Sequence, residues 1–215
     1  MADEPTDPLG ARRAHWEAVY RDRPDDRLSW RQADPALSLR LIRAFATPDS
    51  AVLDVGAGES ALSARLFEAG HRRLAALDVS ESAIARAQAR AGAAAQSIRW
   101  IVADVLAAPS LEPVDIWHDR AVFHFLTEAS DRRRYVDLAA AAVRPGGHAI
   151  LLTFAPDGPE RCSDLPVRRY DAPALALEFG DRFELVRSER EDHTTPWEKV
   201  QPFTAAILRR KPGPP

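Results

Sequence analysis

The chain has 215 residues, 46% of them hydrophobic and 28% charged, with 29 Lys and Arg against 32 Asp and Glu for a net charge of -3. That length and balance fit one globular domain with a proper core, and they lack the basic excess of a general nucleic-acid binder. A single cysteine, Cys162, excludes an intramolecular disulfide and a multi-cysteine zinc site.

Residues 1–10 lack the basic-then-apolar order of a signal peptide, and no run approaches the ~20 apolar residues of a membrane span. A cytoplasmic location with no membrane partner is therefore expected. Residues 1–10 and 211–215 are expected to be flexible. The stretch 12–45 has helical patterning but is too short for a domain, so 11–46 is expected to act as a cap. Residues 51–55 (AVLDV) read as a buried strand. Residues 60–69 have helical spacing, with Leu62, Leu66 and Phe67 on one face and Gly70 as the stop. A second strand is predicted at 74–78. Ser80 then caps an Ala-rich helix at 81–91 that Gly92 ends. Strands follow at 98–102 and 114–118. A helix at 131–143 runs into Arg144-Pro145-Gly146-Gly147, read as a stop, before a fifth strand at 148–154. A helix at 172–179 precedes two more strands, 183–189 and 203–208, with no helix between them, which suggests an antiparallel hairpin at one edge. This alternation implies βαβ crossovers. The expected fold is α/β: a single domain over 1–215, with a doubly wound, mostly parallel seven-stranded sheet, helices on both faces and an antiparallel last strand.

The most informative segment is 52–60, VLDVGAGES. A strand runs into Gly56-Ala57-Gly58 and a helix follows. The glycines permit a tight turn and close approach of a ligand, at the crevice where doubly wound sheets bind. A dinucleotide enzyme wants G-x-G-x-x-G opening the helix. Here Glu59, Ser60 and Ala61 follow, and the glycine pattern alone leaves a nicotinamide-dependent oxidoreductase open. Glu59 would repel a pyrophosphate and Asp54 points the same way, whereas a ligand with a sulfonium and an ammonium tolerates both.

VLDVGAGES resembles the D-x-G-x-G motif of the class I S-adenosylmethionine-dependent methyltransferases. Asp78 at the end of the second strand, Ala103-Asp104-Val105 after the third, residues 114–125 (VDIWHDRAVFHF) and Arg144-Pro145-Gly146-Gly147 are similar to the family's further motifs, with Val143 in a Leu place. The resemblance covers about 51–154. It implies S-adenosylmethionine as cofactor and S-adenosylhomocysteine as product. Asp78 would accept from the ribose hydroxyls, Asp104 from the adenine amino group, and Val105 would offer its backbone N–H. Asp54 would hold the turn. Ala57, Val79, Asp119 and Trp30 complete the expected cofactor-binding set with Gly56 and Gly58.

Methyl transfer is an in-line displacement with a neutral thioether leaving, so placement of the nucleophile carries most of the catalysis. A general base is needed only where the nucleophile must lose a proton, and no catalytic residue transfers by motif. Asp119, His124 and His193 are candidates. Each has a plainer reading: a loop cap or a partner for Arg120, a half-buried helix residue, and part of a polar connection that includes Thr194, Thr195, Pro196 and Gln201. Cys162 is expected to face the pocket, Tyr170 to position an acceptor or staple the next helix, and Arg132-Arg133-Arg134 to be a solvated helix face. No histidine spacing suggests a metal site.

The opening, with His15-Trp16-Glu17-Ala18-Val19-Tyr20, Leu28-Ser29-Trp30 and Ser38-Leu39-Arg40-Leu41-Ile42, resembles that of several class I enzymes, where it covers the cofactor. Trp16, Tyr20 and Trp30 either line the pocket or cover the sheet edge. This opening, the second strand and the Asp-Arg-Ala-Val-Phe loop are also similar to the eukaryotic elongation-factor lysine methyltransferases. The expected function is methyl transfer to an N, O or S nucleophile of a small molecule, with no nucleic-acid partner. A protein lysine acceptor and a non-catalytic S-adenosylmethionine binder stand as alternatives.

Overall fold

A computed structural model describes residues 8–108 and 110–213. Most of the two ends expected to be flexible lies outside these residues. Positions 8–10, however, open the first helix, α1 (Pro8–Asp22). A second helix, α2 (Ala36–Phe45), leads to the sheet.

The strand β1 (Ala51–Val55) is buried along its whole length, as a central parallel strand covered on both faces must be. It is flanked by β2 (Arg73–Asp78) and β4 (Val114–Arg120). Outside these lie β3 (Ile98–Val102) and β5 (Val143–Phe154). The hairpin of β8 (Phe183–Thr194) and β9 (Val200–Arg210) completes the order β3-β2-β1-β4-β5-β9-β8. The last strand, β9, runs antiparallel to both β5 and β8.

Alternation along the strands divides the core between the two faces. Leu53, Val55, Trp117 and Leu151 face the side covered by α5 (Ala129–Ala142) and α6 (Ala172–Phe179), with Tyr135 and Phe179. Val52, Ile116 and Ile150 face α2 and α3 (Leu62–Glu68), meeting Leu41, Ile42, Leu62 and Leu66. The helix α4 (Glu81–Ala91) starts at the Ser80 cap, whose hydroxyl accepts from Ala83 N at 3.1 Å.

Three local expectations are corrected. First, β5 starts at Val143, because Arg144-Pro145-Gly146-Gly147 forms an irregularity inside the strand instead of a stop. Val143 already pairs with Val114, the register then shifts, and Gly146 takes a φ of 82°. Second, His193, Thr194 and Gln201 belong to the β8–β9 ladder, leaving a connection of only 195–199. Third, the loop after β5 holds a small hairpin, β6 (Arg161–Cys162) and β7 (Leu165–Pro166), turned by Ser163 and Asp164 at positive φ. No described helix is long and apolar enough to cross a membrane.

Candidate functional site

The chain leaves β1 toward β2 on one side, and β4 lies on the other, so a crevice opens at the carboxyl ends of these strands. The largest share of its wall comes from the segments just past them: Gly56, then Asp78 and Val79, then Ala103, Asp104 and Val105, then Arg120, Ala121 and Val122. The N-terminal segment adds Arg12, Trp16, Tyr20 and Trp30, and Phe125, Phe154, Cys162 and Phe203 close the far side. A smaller, more polar cavity adjoins it, lined by Ser38, Asp54, Ala57, Gly58, Glu59 and His118, and sharing Tyr20, Trp30, Gly56 and Arg120 with the first.

The glycine turn needs its glycines. Gly56 and Gly58 have φ of 63° and 55°. A Cβ on Gly56 would lie 1.9 Å from Val122 Cγ2, and one on Gly58 2.5 Å from the Tyr20 hydroxyl. The turn is held by Asp78. Its Oδ2 accepts from Gly58 N at 2.8 Å and its Oδ1 from Ser80 N at 2.9 Å, while Ala57 N donates to Leu77 O at 2.9 Å. Burial pushes the Asp78 carboxyl up to about 6 against the pull of those backbone donors.

Asp54 does not hold the turn, contrary to expectation. It lies within β1 with its carboxylate 2.8 Å from His118 Nδ1, and His118 Nε2 is 2.9 Å from Ser38 Oγ, so it ties β1 through β4 to α2. Asp104 caps the short helical turn 105–107 through Leu106 N at 2.8 Å, and its other oxygen accepts from Arg12 Nη1 at 2.8 Å. Arg12 also reaches Asp131 at 2.9 Å. Glu59 is buried beside Arg86 at 3.3 Å and Arg90 at 3.5 Å. Its charge is offset in place, so the expected repulsion of a pyrophosphate loses its force.

The three candidate catalytic groups stand back from both cavities. Asp119 is the penultimate residue of β4 and fully buried. Its carboxylate accepts from Val122 N at 2.9 Å, from Phe123 N at 3.0 Å and from the Tyr135 hydroxyl. Burial pushes it up to about 6. With its lone pairs so engaged, it shapes the loop after β4. His124 is buried with Nδ1 3.3 Å from Phe154 N; burial, then the Arg120 charge, pushes it down to about 3, so it stays neutral. His193 fastens the hairpin to the loop carrying Trp30, its Nε2 lying 2.7 Å from Ser29 O.

Other expectations divide in the same way. Cys162 does line the cleft, but burial pushes its thiol up to about 11, away from a reactive thiolate. Tyr170 is a core staple packed on Phe123. Arg132 is buried, donating to Glu178 and to the carbonyls of Leu126 and Thr127, not solvated.

Trp16, Tyr20 and Trp30 do wall the cleft: Trp30 meets Trp16 and Tyr20 edge to face at 5.8 and 6.1 Å, Trp16 meets Phe125 edge to face at 4.9 Å, and Trp16 lies tilted to Tyr20 at 6.4 Å. What seats them was missed in the sequence. Glu17 accepts from Ser80 Oγ at 2.8 Å, from Ser82 N at 3.2 Å and from Ser82 Oγ, joining α1 to the start of α4. An acid spaced between Trp16 and Tyr20, facing a Ser-Glu-Ser helix start, was the available signal. Arg120, also missed, sits where the cavities meet; its ion-pair partner is Glu191, not Asp119.

Residues 52–147 match the family described as methyltransferase domain. No curated protein matches the chain. Among solved structures, the chain is similar to one from a study of the conversion of a disulfide bond into a thioacetal group during echinomycin biosynthesis, with 23% identity, 93% of this chain and 92% of that one covered, and a TM-score of 0.73. It is also similar to the Burkholderia thailandensis 1,6-didemethyltoxoflavin N1-methyltransferase, solved with 1,6-didemethyltoxoflavin and S-adenosylhomocysteine (21% identity, 98% and 94% covered, TM-score 0.69). A third is the N-methyltransferase NodS from Bradyrhizobium japonicum WM9 with S-adenosylhomocysteine (20% identity, 90% and 97% covered, TM-score 0.68). The family match runs from β1 into β5, and the chain shares its fold with the solved methyltransferases among these.

Proposed function

We propose that this chain is a cytoplasmic enzyme, acting as one domain over residues 1–215 with 11–46 as its cap, that moves a methyl group from S-adenosylmethionine to an N, O or S nucleophile of a small molecule. The carrying observation is that Asp78 and Asp104, at the ends of the adjacent strands β2 and β3, open into one cleft with the glycine turn. The donor set fits the cofactor. Asp78 offers acceptors to the ribose hydroxyls from a position its two backbone donors fix. Asp104 faces the adenine amino group, with Val79 and Val105 as apolar flanks. The polar cavity beside Gly58 and Asp54 takes the methionine end.

When bound, S-adenosylmethionine supplies an electrophilic methyl whose leaving thioether needs no acid. The rest falls to the chain. Trp16, Tyr20, Trp30 and Phe125 exclude water, and the walls hold an acceptor in line. Because Asp119, His124 and His193 line neither cavity, placement and not side-chain proton abstraction is assigned the catalytic work. A small acceptor is supported by the roof of the cleft, built from 11–46 and the β6–β7 hairpin, and by the small molecule named with the Burkholderia relative.

Incubation with methyl-labelled S-adenosylmethionine and separated fractions of a bacterial lysate tests this. Label is expected in the small-molecule fraction. Label on a protein band would move the acceptor to a protein, and tight cofactor binding with label nowhere would favour a non-catalytic binder.

A further inference from the structure

Arg120 ends β4 at the junction of the two cavities and lines both. Its side chain is only 11% exposed. Nη1 donates to Trp30 O at 3.0 Å, and the guanidinium lies over the Phe203 ring at 4.6 Å. Nε stands 3.6 Å from Glu191 Oε2, an ion pair without a hydrogen bond, and Glu191 is itself held by Gln32 at 2.9 Å. Among the described residues, Nε and Nη2 have no hydrogen-bond partner.

Buried donors left without partners are costly, and more so on a charged group. The other charged groups in the larger cavity are already engaged: Arg12 by Asp104 and Asp131, Asp104 also by Leu106 N, and Asp78 by Gly58 N and Ser80 N. Arg120 is therefore the cation with donors to spare. A planar guanidinium pairs best with a carboxylate, two N–H groups to two oxygens. Around it the wall is apolar and aromatic, with Phe125, Phe154, Phe203 and Cys162.

We propose that Arg120 receives a carboxylate carried by the methyl acceptor, whose aromatic or apolar body lies against Phe125, Phe154 and Phe203. This rests on the methyl-transfer reading above and narrows it to organic acids. The carboxylate of the cofactor's methionine end has the same chemistry and reaches the junction from the polar cavity, so the test separates the two.

The full chain is saturated with S-adenosylhomocysteine and titrated calorimetrically with indole-3-carboxylate and with its neutral amide, in the wild type, Arg120→Lys and Arg120→Met. S-adenosylhomocysteine affinity is measured first in each. The acid is expected to bind the wild type roughly tenfold or more tightly than the amide. Arg120→Met abolishes that preference and Arg120→Lys keeps part of it, while affinity for S-adenosylhomocysteine holds in both. Should Arg120→Met fail to fold, a reduced preference in Arg120→Lys is the supporting result and an unchanged one overturns the proposal. Equal binding of acid and amide to the wild type, or binding of neither, overturns it. Loss of S-adenosylhomocysteine binding in the Arg120 variants assigns the residue to the cofactor and overturns it too. A wild type that does not bind S-adenosylhomocysteine fails at the first titration and removes the methyl-transfer reading itself.

Discussion

Asp78 holds the glycine turn through Gly58 N and Ser80 N, and in the proposed reading its remaining lone pairs serve the cofactor. Its burial, and that of Asp119, has a consequence for stability against pH. Both carboxyls are pushed up from 3.8 to about 6, so the folded state prefers them protonated. Their contribution is fully present below 3.8 and is lost as pH rises through about 6. His124 acts the other way. Pushed down from 6.5 to about 3, it contributes above 6.5, and that contribution is lost as pH falls toward 3. Urea denaturation of His124→Phe should therefore show less loss of stability on acidification below 6.5 than the wild type shows. Asp119→Asn replaces one acceptor oxygen by a donor facing donors, and should cost about 1–3 kcal/mol at neutral pH. It should also flatten the decline between 3.8 and 6.

At the scale of elements, α1 is seated on the start of α4 by one carboxylate, Glu17, shared between Ser80 and Ser82. Ser80→Ala removes both the helix cap and one of these contacts, and should cost ~1 kcal/mol in thermal melts and weaken S-adenosylhomocysteine binding. Ser82→Ala leaves the cap, so its affinity loss should exceed its stability loss. Gly58→Ala should weaken binding through its φ and its clash with Tyr20, and Tyr20→Phe in the same chain should recover part of the melting temperature. The elements themselves were largely legible. β1 and β3 are short apolar runs with turn signals, and α4 carries its start and stop in Ser80 and Gly92. The second half of β8 was not, because on this edge strand Arg190 and Asp192 face water while the inward position is the charged Glu191, paired with Arg120, so no apolar alternation shows. The start of β5 was misread because Pro145-Gly146-Gly147 signals a turn, and only the pairing of Val143 with Val114 draws it into the sheet. The site divides likewise. Asp78 and Asp104 stand at fixed places in the motif order. Arg120 draws its meaning from Phe203 and Glu191, far along the chain, which no local pattern connects to it.

In the whole molecule the cleft is closed by segments distant in sequence. The N-terminal segment meets the β8–β9 hairpin through His193 and Ser29, Gln32 and Glu191, and Arg40 and Glu189. It also meets the β6–β7 turn through Arg23 and Asp164 at 3.5 Å. These contacts are partly exposed, and α1 packs through the small cluster of Val19, Tyr20, Leu28 and Ala83 instead of the sheet core, so α1 and the loop to Trp30 should open at a lower free energy than the sheet. Bound S-adenosylhomocysteine should accordingly slow amide hydrogen exchange in α1 and around Trp30 more than in α5 or α6. The most direct test of the central claim is calorimetric titration of S-adenosylmethionine and S-adenosylhomocysteine into the wild type and Asp78→Ala. Micromolar binding of both, weakened at least tenfold by the substitution, is the predicted result, on the order of a charged hydrogen bond lost. Binding of neither, with tight binding of a nicotinamide dinucleotide in its place, would contradict it.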